Sequence, residues 1–308
     1  MEILSTSGIL LKQMLQMLLY IGIGWILYRT SLITRQGSLA LTHLLLYVIL
    51  PCVIVNSFSI ERNEETTRRI LLSLLLGAAV LAVSMLIARL VFSKRPIDNF
   101  AASFSNAGFM GIPLIAGVLG GDSVRYIVGM VALLNVLQWT YGQVLLTGDK
   151  KKMSPRALIT SPLIIAFLLG LLIFATQLKL PQIAASCVSA IAGCNAPVAM
   201  IVLGVFLGQT KLKEIFTDKA AYLCSAVRLL LIPGVTLLML MLLPESLWPV
   251  SLPLLLAAAA PVGSNVAAYT QKLELDSCYA SKTVCLSTIL SVVTLPVIYA
   301  AAVWLRGL

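Results

Sequence analysis

The stretch Asn106-Ala107-Gly108-Phe109-Met110-Gly111-Ile112-Pro113 lies in the middle of an apolar segment at 98–119. Proline removes a helical hydrogen bond and clashes with the preceding turn, and glycine adds conformational freedom. A second stretch, Ala260-Pro261-Val262-Gly263-Ser264-Asn265, interrupts the apolar segment at 250–271 in the same way. We therefore expect each of these segments to consist of two half-helices joined by unwound backbone.

The rest of the chain is also strongly apolar. Of its 308 residues, 59% are hydrophobic and 11% are charged, whereas a soluble domain carries roughly 25% charged residues. In hydrocarbon each backbone polar group must be satisfied internally, which continuous apolar runs achieve as helices. The composition therefore predicts an all-α integral membrane protein.

The apolar runs are about long enough to cross a bilayer. Lys and Arg concentrate in alternate loops, most strongly at Lys150-Lys151-Lys152. Because basic loops stay in the cytoplasm, we expect a multi-pass protein with both termini outside the cytoplasm and a first segment that is retained as an anchor. The runs predict ten transmembrane (TM) helices, at 9–28, 38–58, 70–92, 98–119, 123–146, 156–176, 183–207, 218–243, 250–271 and 277–304.

The basic cluster divides these helices into two sets of five. An odd number per half predicts two repeats of opposite orientation, at 1–147 (TM1-5) and 156–308 (TM6-10), joined by a cytoplasmic connector at 148–155. Pro51 in segment 2 corresponds to Pro197 in segment 7, and the interrupted segments are the fourth and the ninth. Interrupted helices at corresponding positions of inverted repeats are typical of secondary transporters and mark their binding sites.

Unwound backbone at the two breaks offers free N–H groups and the positive ends of half-helix dipoles, which favour an anion. Pro113 suits the first position of the second half-helix, and Ser264 or Asn265 suits the cap position after Pro261. Asn106 and Asn265 add side-chain amides near the membrane centre. The alternative for each break is a proline kink without a ligand, but two matched breaks favour the binding site.

A few other polar residues inside the segments have two interpretations each. His43, the single histidine, would permit proton coupling or lie hydrogen-bonded at the interface. Arg228 would attract an anion or pair with a carbonyl freed by Pro233, and Lys282 would carry a functional charge or reach the interface. Asn195 would bind substrate or a freed carbonyl. The predicted substrate-binding residues are Asn106, Gly108, Gly111, Pro113, Asn195, Pro261, Gly263, Ser264 and Asn265.

Segment 5 carries four polar side chains, which indicate either a polar path or contacts between helices: Asn135, Gln138, Tyr141 and Gln143. The sequence has no GxxxxGK[ST] motif for ATP, and a single histidine excludes an HExxH metalloprotease, so we do not expect an enzyme. The six cysteines form no CxxC pair, so neither a metal nor another cofactor is expected. Coupling to H⁺ or Na⁺ is left open.

The segment Asn106 to Pro113 (NAGFMGIP) resembles the crossover motif of the auxin efflux carrier family, which also opens with Asn and closes with Met-Gly-Ile-Pro. Pro261-Val262-Gly263 resembles the second crossover, and the resemblance covers nearly the whole chain. Asn265 falls where the plant carriers are apolar, and the short connector is like that of the bacterial members. The family pattern also includes Leu50-Pro51, Leu203-Gly204 and Thr294-Leu295-Pro296.

The resemblance implies a carrier of the bacterial inner membrane for malate, malonate or a similar mono- or dicarboxylate. It implies a scaffold of segments 1, 2, 6 and 7 that forms a homodimer, and a transport domain of segments 3–5 and 8–10 that moves by an elevator-type shift. Asn106, Pro113 and Pro261 are carried over from the two motifs as substrate contacts. The partners are then the anion and membrane lipid, with no nucleic acid. An ion channel and a membrane-embedded metabolite sensor are the alternative functions.

Overall fold

The computed structural model describes residues 2–149, 161–210 and 212–307, and within these ranges the chain is helical apart from one isolated antiparallel bridge. Most of the predicted connector, with its three lysines, lies outside the described residues. The helices are α1 (Glu2–Arg29), α2 (Arg35–Phe58), α3 (Glu64–Val91), α4 (Pro96–Ser103), α5 (Ala107–Leu119), α6 (Gly121–Thr147), α7 (Pro162–Thr176), α8 (Gln182–Gly208), α9 (Leu212–Ile215), α10 (Lys219–Met241), α11 (Glu245–Ala259), α12 (Asn265–Lys272) and α13 (Ser277–Arg306).

Helix lengths and composition are those of a membrane protein. In the described part of the chain, six helices are long and apolar enough to cross a bilayer: α2, α3, α6, α8, α10 and α13. Four shorter apolar helices accompany them, namely α5, α7, α11 and the Leu15–Arg29 part of α1. The predicted all-α membrane fold is confirmed to this extent, and the predicted segments 4 and 9 are each present as two helices.

Polar residues at the ends of the apolar runs start several long helices. The Asn63 side chain accepts a hydrogen bond from the amide of Thr66 at 2.7 Å, and the Asp276 side chain accepts one from the amide of Tyr279 at 2.8 Å. Asp218 caps α10 in the same way. Each cap satisfies an amide that has no partner within the helix and stabilises the helix start by about 1 kcal/mol.

Three of the prolines inside the helices follow wider, π-type turns. A π-type turn bonds residues five apart, which lets a helix continue past a residue that lacks an N–H and crowds the preceding turn. Helices α2 and α10 therefore run through their prolines without a break. Three such turns, at Leu45–Ile49, Ala107–Gly111 and Val227–Leu231, each end two residues before a proline, at Pro51, Pro113 and Pro233.

Helices α1 and α8 pack so closely that glycine is required at their contact. A Cβ at Gly24 would collide with the backbone carbonyl of Ile201, and one at Gly204 would collide with that of Ile21. Helices α7 and α8 also pack on α2, whereas α3 packs on α4 and α6, and α13 packs on α10 and α12. The closest packing thus lies within two sets of helices. One set includes α1, α2, α7 and α8, and the other includes α3, α4, α6, α10, α12 and α13.

Candidate functional site

The two interrupted segments meet at their breaks. The backbone amide of Asn106 donates to the carbonyl of Pro261 at 2.8 Å, and the amide of Gly263 donates to the carbonyl of Phe104 at 3.0 Å. These bonds form the antiparallel bridge, and they satisfy backbone groups that unwinding releases in the buried interior. We call the two paired stretches, residues 104–106 and 260–264, the crossover.

Close backbone approach favours glycine at one position of the crossover. A Cβ at Gly263 would lie 3.1 Å from the carbonyl oxygen of Phe104 and 3.2 Å from that of Ser105. At Gly108 and Gly111 a Cβ would meet its nearest neighbours at 3.6 and 3.5 Å, which is ordinary contact. These two glycines lie in the first turn of α5. The prediction that they belong to the unwound backbone was therefore wrong.

A small cavity adjoins the crossover. Its volume is about 20 Å³, which is enough for about one water molecule. Helix α6 contributes Asn135 and Gln138 to the lining, and these are two of the four polar residues noted in segment 5. The other two, Tyr141 and Gln143, do not line the cavity. Five predicted substrate-binding residues line this crossover cavity: Asn106, Gly108, Gly263, Ser264 and Asn265.

The side-chain amide of Asn106 is one of two buried polar groups at this cavity that have no hydrogen-bond partner among the described residues; the other is the Ser105 hydroxyl. Asn106 is 4% exposed, and its Nδ2 atom has no hydrogen-bond partner within the described part of the chain. By contrast, Asn265 Nδ2 donates to Gln138 Oε1 at 2.8 Å, and Asn135 Nδ2 donates to the carbonyl of Val131 at 2.8 Å. An unpartnered buried donor costs about 1–3 kcal/mol. Its position beside a cavity leaves room for an acceptor atom of a water molecule or a ligand.

Two half-helices, α5 and α12, begin at the crossover. Their first N–H groups have no partner within the helix, and the helix dipole makes these ends positive. The residues predicted for the helix starts lie close to those starts. Helix α5 begins with a π-type turn at Ala107, and its regular α-helical part begins at Ile112 with Pro113 in the first turn. Ser264 occupies the predicted cap position of α12, but its side chain makes no capping bond, and the Asn265 side chain bonds Gln138.

Arg228 bonds the ends of the other two half-helices, α4 and α11. It is 1% exposed, and its guanidinium donates from Nη1 to the carbonyl of Ala102 at 2.9 Å and from Nε to that of Ala260 at 3.2 Å. Its Nη2 donates to the carbonyl of Ala258. The last carbonyls of a helix lack helical partners and carry the negative end of its dipole. Arg228 thus pairs with carbonyls released at the crossover rather than with one freed by Pro233.

A larger cavity, which we call the vestibule, has a volume of about 690 Å³ and lies between α1, α2, α5, α6 and α8. Pro113 and Asn195 line it, and its lining residues all differ from those of the crossover cavity. Asn195 is 4% exposed, and among the described residues its Oδ1 atom has no hydrogen-bond partner. Seven of the nine predicted substrate-binding residues are therefore divided between two cavities, and Gly111 and Pro261 line neither of them.

The two remaining charged candidates lie away from the crossover. His43 is exposed on α2, with its ring edge-on to that of Tyr47 at 5.9 Å. Lys282 forms an ion pair with Glu214 at 3.2 Å. Neither side chain lines the crossover cavity or the vestibule.

A third cavity, the lysine pocket, has a volume of about 310 Å³ and shares Asn135 and Asn265 with the crossover cavity. Trp139, Tyr269 and Lys272 are also in its lining, with Tyr47 and Ser161. The sequence analysis did not identify Trp139, Tyr269 or Lys272 as candidates. Lys272 follows an apolar segment, where a basic residue ordinarily marks topology, and Trp139 comes from a distant helix.

Sequence comparison gives the family. The profile described as "Membrane transport protein" matches residues 9–299. The chain belongs to the membrane transport protein family. The resemblance to the auxin efflux carriers, which belong to this family, is thereby confirmed. Membership of this transporter family implies a membrane environment and a small-molecule substrate.

Two proteins described as transporters are similar to the chain over nearly their full length. An "Uncharacterized transporter" of Methanothermobacter thermautotrophicus is 26% identical over 296 residues, which cover 92% of this chain and 96% of the relative. A "Putative malonate transporter" of Rhizobium meliloti is 24% identical over 295 residues, which cover 89% of this chain and 91% of the relative.

Proposed function

We propose that this member of the membrane transport protein family is a secondary transporter of small organic anions, and that a mono- or dicarboxylate binds at the crossover. The observation that carries the proposal is the buried, unpartnered Nδ2 of Asn106 beside a cavity where two half-helices begin. A carboxylate oxygen would accept from that amide. The exposed N–H groups and positive dipole ends of α5 and α12 would stabilise its charge.

The charges near the crossover also favour an anion. Among the described residues, the lining of the crossover cavity includes polar amides and hydroxyls but neither Asp nor Glu. Arg228 adds a buried positive charge that bonds carbonyls on both interrupted segments. Because Coulomb interactions are stronger away from water, this charge disfavours a cation and favours an anion. The name of the Rhizobium meliloti relative, which refers to malonate, points to the same substrate class.

The proposed mechanism is alternating access by an elevator-type shift in a ten-segment inverted repeat. Helices α1, α2, α7 and α8 would form the scaffold and dimerise, and α3–α6 with α10–α13 would form the transport domain. The close packing within each of these two sets supports this division. So does the vestibule, because it lies between helices of the two sets. We place the homodimer in a bacterial inner membrane with both termini outside the cytoplasm.

A carrier also accounts for the cavities better than a channel does. A channel needs a continuous water path, whereas the crossover cavity holds about one water and shares no lining residue with the vestibule among those described. Uptake of an anion against the membrane potential costs about 2.3 kcal/mol per charge per 100 mV, so import would require coupling to H⁺ or Na⁺. The exposed position of His43, away from the crossover, does not favour it as the coupling residue.

The experiment is thermal unfolding of the purified protein with malonate, acetate and neutral solutes. A ligand at 100 times its Kd stabilises the folded state by about 2.7 kcal/mol. We expect a carboxylate to raise the unfolding temperature of the wild type and to have no effect on Asn106→Ala. Asn99→Ala is the matched control, because Asn99 is buried on α4 but does not line the crossover cavity. The proposal would be contradicted if a carboxylate stabilised Asn106→Ala as much as the wild type. It would also be contradicted if no anion stabilised the wild type or either variant.

A further inference from the structure

The lysine pocket continues from the crossover cavity along α12. Asn135 and Asn265 line both volumes. Helix α12 starts at Asn265 beside the crossover and ends at Lys272 in the pocket, and its eight residues rise about 10 Å. A volume of about 310 Å³ is large enough for most of a small organic ligand. A molecule with one end at Asn106 would therefore have its other end in the pocket.

Lys272 supplies the charge of this pocket. The other lining residues are neutral, and their polar members come from α2, α6, α12 and the start of α7. Lys272 is exposed, and within the described ranges of the chain no carboxylate forms an ion pair with it. An ammonium group offers three N–H donors. These donors are available to an anionic group of a ligand.

An aromatic pair holds the Lys272 ammonium in place. Its Nζ atom lies 5.6 Å from the ring centre of Trp139, a distance at which the ring attracts a cation. Trp139 in turn packs edge-on against Tyr269 at 5.2 Å. Trp139 also follows Gln138, which bonds Asn265 at the crossover cavity. The ammonium and the crossover amides are thus positioned by the same turn of α6.

We propose that Lys272 binds the second carboxylate of a dicarboxylate whose first carboxylate is held at the crossover. The inference rests on the proposed function and narrows its substrate class. A dicarboxylate would pair both ends, with Asn106 and the half-helix N-termini at one end and the ammonium at the other. A monocarboxylate would leave the ammonium without a partner. Lys272 is then the residue that selects dicarboxylates.

The test compares two probes that differ only at the second carboxylate. Dissociation constants for malonate and for monomethyl malonate, in which one carboxylate is an ester, are measured by titration of the purified full-length protein. We expect Lys272→Met to weaken malonate binding by about tenfold or more, which is about 1.4 kcal/mol, and to change monomethyl malonate binding less than about twofold. Lys272→Arg should retain most of the affinity for malonate.

Lys219→Met is the matched control, because Lys219 is an exposed lysine at the start of α10 that does not line the pocket. It should leave both constants unchanged. An equal loss for both probes in Lys272→Met, or no loss for either, would overturn the assignment of Lys272. Lys272→Gln repeats the test if the methionine variant does not fold. A wild-type protein that binds neither probe would instead refute the proposed function itself.

Discussion

Replacing Gly263 by alanine is expected to force the crossover apart. The new Cβ would lie 3.1 Å from the carbonyl oxygen of Phe104 and 3.2 Å from that of Ser105, and these backbone atoms cannot rotate away. The two stretches must separate, which lengthens the 3.0 Å hydrogen bond from the Gly263 amide to Phe104. Overpacking costs about 1–3 kcal/mol and a lost hydrogen bond about 1 kcal/mol. We therefore expect a loss of about 2–4 kcal/mol in the free energy of unfolding.

The assay is unfolding of the purified protein in detergent, followed by tryptophan fluorescence. Gly108→Ala and Gly111→Ala are the controls, because their Cβ atoms would make only ordinary contacts, at 3.5 Å or more. Alanine is favoured over glycine inside a helix by about 0.5–1 kcal/mol, so these variants should be as stable as the wild type or more stable. A Gly263→Ala protein of wild-type stability, or controls that lose as much as it does, would refute the role given to Gly263.

Four further outcomes follow from the same contacts. Arg228→Met should lower stability by about 3 kcal/mol or more, because three carbonyls at the ends of α4 and α11 lose their donor at about 1–3 kcal/mol each, and unfolding in detergent measures this. A double-mutant cycle of Asn265→Ala and Gln138→Ala should give a coupling of about 1 kcal/mol; additive effects would contradict the bond. Gly204→Val should reduce the yield of monodisperse protein in size-exclusion chromatography, because α1 and α8 could not approach. His43→Ala should leave uptake and its pH dependence unchanged between about pH 5 and 8, and loss of that dependence would reassign His43.

The breaks in segments 4 and 9 could be predicted from the sequence because proline and glycine act on their own neighbourhood. The break in segment 9 lies at residues 260–264, as predicted, whereas the break in segment 4 does not lie where it was predicted. The predicted stretch from Asn106 to Pro113 forms mostly helix, since a π-type turn accommodates Pro113, and the unwound backbone lies upstream at residues 104–106. The backbone is unwound at these residues because its released polar groups form hydrogen bonds across the crossover. Those partners are more than 150 residues away in the sequence, so local patterns do not identify them.

The charged residues show the same difference between local and long-range information. Arg228 stands five residues before Pro233, so the sequence suggested a bond to a carbonyl freed by that proline. Its partners are instead at the ends of two other helices. In the sequence Lys272 directly follows the segment at 250–271, where a basic residue ordinarily marks topology. Its contact with Trp139 depends on how α12 packs against α6, which no spacing in the sequence records.

The most direct test of the account is counterflow of radiolabelled malonate in proteoliposomes that contain the purified protein. Vesicles loaded with unlabelled malonate should transiently accumulate the label with the wild type and with Asn99→Ala. Vesicles with Asn106→Ala, at equal protein incorporation, should not accumulate it. Accumulation by Asn106→Ala at the wild-type rate would show that the substrate does not depend on the crossover. Binding of malonate without accumulation would indicate a sensor, and an ionic current without counterflow would indicate a channel.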